Sequence, residues 1–411
     1  MTRESQNQNV RPLLLSRRAF LSAALSGASV LLAGCSSLSG DDSPAPPEPD
    51  ERATVYDEVA PEPDELSLLM VGDVLVHTGV WQSGVRADGT RNYDHIFAQV
   101  ADDVSAASLA IVGQETVLGG EALGFSGYPA FNSPQEFGDA EVAVGFDVSL
   151  SASNHALDKG MTGIESALAY WRSSHPEMLV TGMYDSQEAF DALPVVEREG
   201  HRIAVLNYTY GTNGIPLPQP WAVRLLDEAQ IAADAEAVRA AGAEAIIACP
   251  HWGVEYAAAP SDEQRHWAQV LADAGADLII GGHPHVVQPF EVIQSSEGHE
   301  VPVFWSVGNF VSTQTRKDSM VGAMAQASLL LDGSDCQVAS CTLTPVITHR
   351  AEGAAFTTYR ISDYTEELAA ANLVRGFSGC GDFSYQWCVD FCAERLGDAF
   401  DAASGRLVWE A

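Results

Sequence analysis

The sequence is poor in positive charge. Its 411 residues carry 21 Lys and Arg against 56 Asp and Glu, which gives a net charge of −35 at pH 7. Nucleic acids and anionic lipid surfaces attract basic proteins, so binding to either of them through charge is excluded. If the substrate is itself an anion, something must reverse the field locally, and bound divalent metals are able to do so.

The sequence also lacks a long hydrophobic run. The apolar stretch from Phe20 to Ala33 is short and rich in Ser and Gly, whereas a membrane-spanning helix needs about 20 apolar residues. Arg17-Arg18 precedes the stretch and resembles a twin-arginine export signal, and Leu32-Ala33-Gly34-Cys35 ends it and resembles the lipobox of bacterial lipoproteins. These resemblances imply cleavage before Cys35, lipidation of its thiol, and a membrane-anchored protein on the extracytoplasmic face.

The composition divides the chain into four parts. Residues 36–64 are mostly Ser, Pro, Asp and Glu, which cannot bury enough apolar surface to fold, so we predict a disordered acidic tether after a signal peptide at 1–35. The overall hydrophobic fraction of 46% is that of a globular protein. We expect a folded domain at 65–350 and a helical extension at 351–411, whose cysteine pairing the sequence leaves open.

Short apolar runs alternate with amphipathic segments through the folded part. Strands are predicted at 66–71, 108–112, 147–152, 178–182, 202–207, 244–249, 277–280 and 303–307. Helices are predicted at 160–173, 226–241 and 262–274, the last with Pro260-Ser261 at its N-terminus. This alternation predicts an α/β fold with central β-sheets flanked by helices and a substantial parallel component. The runs 327–331 and 337–345 flank Asp332-Gly333-Ser334 and predict a β-hairpin.

Polar residues follow several of the predicted strands at the point where each strand ends. Ligands of α/β sheets bind beyond the carboxyl ends of the strands, so we expect these side chains to meet at one sheet edge. Each alone has an ordinary explanation, such as a turn residue, a surface acid, a helix cap or a packed histidine. Together they form a set of one Asp, one Glu, one Asn and four His: Asp73, Glu115, Asn154, His155, His251, His283 and His285.

This mixture of side chains is typical of a metal centre. Carboxylate and amide oxygens combined with imidazoles suit Mn, Fe or Zn. A carboxylate is able to bridge two cations, and two cations about 3.5–4 Å apart clamp the attacking and leaving oxygens of a hydrolytic reaction. The set therefore predicts a site for two divalent metal ions, whose identity the sequence does not give.

The order of the motifs resembles the CapA family of poly-γ-glutamate capsule proteins, within the calcineurin-like metallophosphoesterase superfamily. The resemblance covers well over half of the chain and implies a metallophosphoesterase-like layered α/β fold. The matching segments are Gly72-Asp73, Glu115-Thr116, Ser153-Asn154-His155, His251-Trp252-Gly253 with Glu255-Tyr256, His283-Pro284-His285, and Ser306 with Gly308-Asn309-Phe310.

The resemblance also implies a role for each strand-end residue. Glu115 stands where the superfamily usually has a bridging Asp, and His155 corresponds to the catalytic histidine, which acts as general acid or as a cation beside developing charge. The remaining members correspond to metal ligands: Asp73, Asn154, His251, His283 and His285.

The sequence departs from the superfamily pattern at two places. The usual first motif is Asp-x-His, whereas three residues separate Asp73 from His77, and the sequence leaves open whether His77 is a ligand. Gly113 stands where many relatives have Asn, and Gln114 is a possible substitute for that Asn. Further side chains are expected to line the site: His77, Gln114, Glu255, Tyr256, Ser306 and Asn309.

Two functions are compatible with these residues. The first is a metal-dependent hydrolase acting on a phosphoester or on a poly-γ-glutamate-type polymer in capsule or cell-envelope biosynthesis. The alternative is a non-catalytic, metal-dependent binding or export factor for an anionic capsule polymer, working with capsule-assembly machinery. Fold resemblance does not choose between them. The presence of His155 favours the enzyme, because a binding-only descendant would be free to lose it, and the intact ligand set disfavours a degenerate scaffold.

Overall fold

The computed structural model describes residues 63–353 and 355–411. The predicted signal peptide, the lipidation site at Cys35 and nearly all of the predicted tether fall outside this part. The tether prediction overlaps the structure at its end, where Asp64 begins the first strand and pairs with Leu331. Within the described residues, no helix combines the length and the apolar character needed to cross a membrane.

The strands of the described residues are short except at the centre of the fold. Their bounds are β1 Asp64–Val74, β2 Leu109–Gln114, β3 Val148–Leu150, β4 Leu179–Thr181, β5 Val195–Arg198, β6 His201–Thr209, β7 Ala245–His251, β8 Leu278–Ile280, β9 Phe290–Gln294, β10 Glu300–Phe304, β11 Asn309–Val311, β12 Val321–Leu331, β13 Cys336–Ala351, β14 Ala355–Arg360, β15 Phe400–Asp401 and β16 Arg406–Glu410.

The α-helices mostly connect these strands. Their bounds are α1 Thr78–Ser83, α2 Asp94–Phe97, α3 Ala101–Ala106, α4 Glu136–Val144, α5 Gly160–Ser174, α6 Gln187–Asp191, α7 Glu228–Ala240, α8 Asp262–Asp273, α9 Glu366–Ala371 and α10 Tyr385–Leu396. The predicted cap of α8 is present as a capping box, in which Ser261 Oγ accepts from Gln264 N at 3.1 Å and Gln264 Oε1 accepts from Ser261 N at 3.0 Å.

The strands form two sheets. The larger has ten strands in the order β15-β16-β13-β12-β1-β2-β3-β4, with β11 also beside β1 and β14 beside β13. The smaller has six strands in the order β5-β6-β7-β8-β10-β9. The run β1-β2-β3-β4 and the run β6-β7-β8-β10 are parallel, while the pairing of β12 with β13 is the antiparallel hairpin that the sequence predicts.

The two sheets pack face to face. Side chains alternate between the two faces of a strand. Leu68 and Met70 of β1 share a buried cluster with Val205 and Ile247 of the smaller sheet. The intervening Leu69 belongs to a second cluster that contains residues of α2, α4 and α5, and a third cluster lies between the smaller sheet and helices α7 and α8. The layers are therefore helices, sheet, sheet and helices, in agreement with the predicted fold class.

The residues beyond 350 hold helices α9 and α10, and they also extend the larger sheet. Strands β14 and β16 both pair with β13. Tyr364, Phe383 and Cys388 pack into the same buried cluster as the facing sheets. Each cysteine of the described part is a free thiol, including Cys380 and Cys392.

One buried acid stands apart from the metal-type residues. Glu141 of α4 is fully buried, and neither of its carboxylate oxygens has a hydrogen-bond partner among the described residues. Burial raises the pKa of this carboxyl well above its ordinary value. Folding therefore favours the protonated carboxyl. The loss of stability caused by Glu141 is absent below the pKa that this group has in the unfolded chain, and it grows as the pH rises from there towards the pKa in the folded protein.

We expect Glu141→Met to raise the free energy of unfolding at pH 7 by about 1–3 kcal/mol, because the variant removes an unpaired buried polar group. The gain should shrink as the pH falls from 7 towards about 4.5 and change little below that pH, and urea unfolding at several pH values measures it. Glu165→Met, at an exposed position of α5, is the matched control and should change little. A loss of stability in Glu141→Met would show that the carboxyl makes a favourable contact.

Candidate metal centre

The predicted ligands meet where the carboxyl ends of both sheets come together. In the larger sheet, Asp73 lies near the end of β1, Glu115 follows β2 and Asn154 follows β3. In the smaller sheet, His251 is the last residue of β7, and two further histidines follow β8. The expectation of a single sheet edge is therefore wrong, because the facing sheets each supply part of the set.

Glu115 lies at the middle of this group. Its Oε1 is 3.8 Å from His251 Nε2, and its Oε2 is 3.8 Å from His285 Nδ1. Two sets of ligand atoms lie close enough to hold a metal ion each, with Glu115 common to both. One set is Glu115, His251 and His283, the other is Glu115, Asp73 and His285, and the atoms of each lie within 4.8 Å of one another.

The chemistry of these donors fits divalent cations. Both oxygens of Glu115 and Nδ1 of His283 are buried without a hydrogen-bond partner in the described residues. Burial raises the pKa of Glu115, and the charge of Asp73 adds to the effect, while burial lowers the pKa of His283 to about 3. A buried carboxylate without a hydrogen-bond donor and an imidazole kept neutral are both favoured by a bound metal, so the residues present fit the predicted cofactor.

The other ligands are held by their neighbours. Asp73 Oδ2 accepts the backbone N–H of His283 at 3.0 Å and lies 3.2 Å from His285 Nδ1. Burial lowers the pKa of His285, but Glu115 and Asp73 outweigh it and leave the pKa raised. Asn154 Oδ1 lies 2.8 Å from His251 Nε2, and these two side chains face each other beside Glu115.

The turns that carry the histidines have an unusual backbone. His283 and His285 have φ values of 94° and 59°, and the nearby Tyr256 and Asn213 have 64° and 53°. Residues other than glycine rarely adopt positive φ, which costs of order 1–3 kcal/mol at each position. Such residues cluster here because the tight turns after β7 and β8 aim their side chains at the centre.

Glycine 282 is required by the closeness of the two sheets at this point. A Cβ on Gly282 would lie 2.6 Å from Asp73 Oδ1, and a Cβ on Gly281 would lie 2.4 Å from Trp252 Nε1. Any larger side chain at 282 would push the Asp73 carboxylate away from its position beside the histidines.

His155 points its two ring nitrogens in different directions. Its Nδ1 lies 2.7 Å from the buried carboxylate of Asp158, which also accepts the N–H of Phe131 at 2.7 Å. Its Nε2 faces Glu115 Oε1 at 4.0 Å. Burial lowers the pKa of His155, but Asp158 and Glu115 together leave it raised. The pair of His155 and Asp158 therefore favours a protonated ring with Nε2 directed into the site.

Sequence reasoning missed Asp158 and Asn213. The sequence contained a signal for Asp158, since it follows His155 by three positions in the same turn. Asn213 had none, because it comes from the loop after β6. Its Oδ1 accepts from Asn154 Nδ2 at 3.1 Å, and its Nδ2 lies 3.5 Å from His155 Nδ1. Its hydrogen bond to Asn154 therefore helps to orient that side chain.

The six residues predicted to line the site divide into two groups. His77, Glu255 and Tyr256 line a groove of about 320 Å³ that begins at His155 and His285. His77 belongs to neither metal-type set; its Nδ1 is 3.2 Å from Leu75 O and 3.4 Å from Thr313 N, and burial lowers its pKa to about 4.

The second group hydrogen-bonds to the surrounding backbone. Gln114 donates to Thr116 O and also to Thr116 Oγ1 at 3.1 Å, Ser306 donates to Val286 O at 2.9 Å, and Asn309 donates to Ser319 O at 3.2 Å. These three side chains stabilise the loops that carry the site.

Comparisons with known proteins identify the family of the chain. The family model described as bacterial capsule synthesis protein PGA_cap matches residues 67–314. The chain is similar to "PGA biosynthesis protein CapA" of Bacillus subtilis, with 30% identity over 217 residues, 50% of this chain and 52% of the relative. It is 28% identical over 197 residues to "Capsule biosynthesis protein CapA" of Bacillus anthracis, which is 46% of each chain. The chain thus spans about half the length of the curated relatives it matches.

Among solved structures, the calcineurin-like phosphoesterase YfkN from Bacillus subtilis has a TM-score of 0.42 and 15% identity, covering 69% of this chain and 91% of that one. The NAD nucleotidase of Haemophilus influenzae has a TM-score of 0.45 and 15% identity, covering 69% of this chain and 56% of that one. Likeness of this degree carries no inference about activity.

We expect Gly282→Ala to lower the metal content of the protein while leaving its fold intact, because the added methyl group displaces Asp73. Elemental analysis after loading with Mn, Fe and Zn measures the metal, and thermal unfolding measures the fold. Gly376→Ala is the matched control, since a Cβ there meets nothing within 4 Å. Unchanged metal binding by Gly282→Ala would contradict the assignment of Asp73 as a ligand.

Proposed function

The chain belongs to the PGA_cap family of bacterial capsule synthesis proteins, and we propose that it is a metal-dependent hydrolase of the cell envelope. The substrate is a phosphoester or a poly-γ-glutamate-type polymer. The observation that carries the proposal is the buried Glu115 carboxylate, which has no hydrogen-bond partner in the described residues and belongs to both metal-type sets.

The geometry around Glu115 supports these ligand roles. Glu115, His251, His283 and Asn154 would hold one divalent metal, and Glu115, Asp73 and His285 would hold the other. When bound, the metals supply Lewis-acid activation of water and of the electrophilic phosphorus or carbonyl. Asn213 holds Asn154 in position through its 3.1 Å hydrogen bond.

His155 is the catalytic acid in this proposal. Asp158 accepts from Nδ1 and keeps the ring oriented, so that Nε2 faces the reacting group. A proton delivered from Nε2 neutralises the departing oxygen or nitrogen, and the remaining imidazole stays hydrogen-bonded to Asp158. The buried position of His155 excludes bulk water from this proton transfer.

The proposed location rests on the N-terminal sequence and on the relatives. The twin-arginine and lipobox-like motifs support export and a lipid anchor at Cys35. The relatives are named for capsule biosynthesis, which supports a role at the cell envelope beside the capsule-assembly machinery. An acidic chain that acts on an anionic polymer needs local positive charge, which two divalent metals provide.

The first test is metal content together with turnover. We expect the full chain to bind about two transition metals and to cleave a chromogenic phosphodiester or poly-γ-glutamate. His283→Ala should lose metal and activity. His155→Ala should keep its metal and lose about 10²- to 10⁴-fold in kcat, because it lacks only the acid. His266→Ala, at an exposed position of α8, is the control.

The outcomes separate the two functions. Metal binding and polymer binding without turnover of either substrate would contradict the hydrolase and favour the alternative of a non-catalytic binding or export factor. No uptake of Mn, Fe or Zn by the wild-type chain would contradict the metal centre itself.

The role of Asp158 has its own test. Asp158→Asn preserves the shape of the side chain but removes the charge that orients and protonates His155. We expect normal metal content and a drop in kcat of about 10- to 100-fold with little change in KM. In a His155→Ala background the same substitution should have almost no further effect, because the two residues act together. Additive losses would contradict the pairing.

A further inference from the structure

The groove that leads away from His155 and His285 contains a single lysine or arginine among the described residues, Arg316. We propose that Arg316 binds an anionic group of the substrate beside the metal centre, and that this group is a carboxylate of a γ-linked glutamyl chain. This inference rests on the proposed function and names the substrate class of the same site. Arg316 lies just beyond residue 314, where the family match ends.

Arg316 is held with one edge of its guanidinium free. Nε and Nη2 donate to the two oxygens of Asp318 at 3.0 and 2.5 Å, while Nη1 has no hydrogen-bond partner in the described residues. The guanidinium carbon lies 4.5 Å from the centre of the Tyr256 ring. The side chain is 49% exposed. A guanidinium group that is hydrogen-bonded along one edge and stacked on an aromatic ring is able to bind a carboxylate or phosphate with its other edge.

The position of Arg316 places such an anion near the metals but not on them. The centre of the Tyr256 ring lies 4.5 Å from the guanidinium carbon and 6.0 Å from the centre of the His285 ring. A γ-linked glutamyl chain carries one free α-carboxylate on every residue. With one γ-amide at the metals, the carboxylate of a neighbouring residue is therefore free to reach Arg316.

The charge around the groove makes this contact important. Glu255 also lines the groove and is exposed, and the chain as a whole has a net charge of −35. An anionic polymer is repelled by most of this surface. Arg316 adds to the positive charge that the metals and the protonated His155 supply along the groove, and so helps to compensate for that repulsion.

Residues of the C-terminal part hold the loop that carries Arg316. Arg350 Nη1 donates to the carbonyl oxygens of Thr313 and Gln314 at 3.2 and 3.1 Å. Cys380 Sγ donates to Thr315 O at 3.4 Å. In the same region, Lys317 pairs with Asp382 at 2.6 Å. These contacts fix the loop, so the segment beyond the family match positions the proposed anion-binding residue.

The test compares binding of two ligands to the manganese-loaded full chain by calorimetry. One is a short γ-linked glutamate oligomer with free α-carboxylates, and the other is the same oligomer with its carboxylates methylated. We expect the wild-type chain to prefer the free acid by at least about tenfold, the value of a charge-assisted hydrogen bond. Arg316→Gln should lose this preference and bind the ester normally, and Arg316→Lys should keep part of it.

The control is Arg265→Gln, because Arg265 also pairs with a carboxylate, that of Glu291, stacks on Trp305 and is 48% exposed. It should bind both oligomers like the wild type. An unchanged preference in Arg316→Gln, or equal weakening for acid and ester, would overturn the inference. A third outcome would also overturn it: the wild type binds both glutamyl oligomers alike, and Arg316→Gln loses binding to a phosphodiester oligomer. The anion that Arg316 binds would then be a phosphoryl group.

Binding and turnover are separate readouts. A wild-type chain that prefers the free acid but never cleaves it contradicts the hydrolase and leaves the role of Arg316 standing. A chain that cleaves the ester as well as the acid supports the hydrolase and overturns the role of Arg316.

Discussion

The arrangement of the site depends on one buried carboxylate. Glu115 lies between the histidines of the smaller sheet and Asp73 of the larger, and its oxygens have no hydrogen-bond donor among the described residues. A charge in this position is unfavourable unless cations compensate for it. The strained turns at His283 and His285 are consistent with this need, because they bring two imidazoles to the same point at a cost in backbone energy.

The face-to-face packing of the sheets makes this concentration of ligands possible. The β1-β2-β3 part of the larger sheet and the β7-β8 part of the smaller sheet end on the same side of the shared core, so short turns from both reach the centre. Gly282 allows the backbone after β8 to approach Asp73 closely. Around this core, the loops supply further side chains: Asn213 beside Asn154 and Arg316 along the groove.

The family-matched segment holds the candidate ligands, and the C-terminal part supports the groove. The matched segment, residues 67–314, contains every predicted ligand and His155. The later residues extend the larger sheet through β12 to β16 and contact the loop at 313–317. Because the groove wall is supported separately from the ligands, it can change without disturbing them, which gives a physical basis for different substrates on one scaffold.

The sequence alone determined the positions of eight strands, the helices α5, α7 and α8, the hairpin and the family, because these depend on local periodicity, capping and short motifs at strand ends. It also identified the side chains that meet around Glu115, since strand ends are where α/β folds place their ligands. Only the tertiary structure decided that two facing sheets supply them, that His77 lines the groove rather than joining either metal-type set, and that Asn213 and Arg316 belong to the site. Those facts depend on contacts between segments far apart in the chain, and no local pattern in the sequence encodes such contacts.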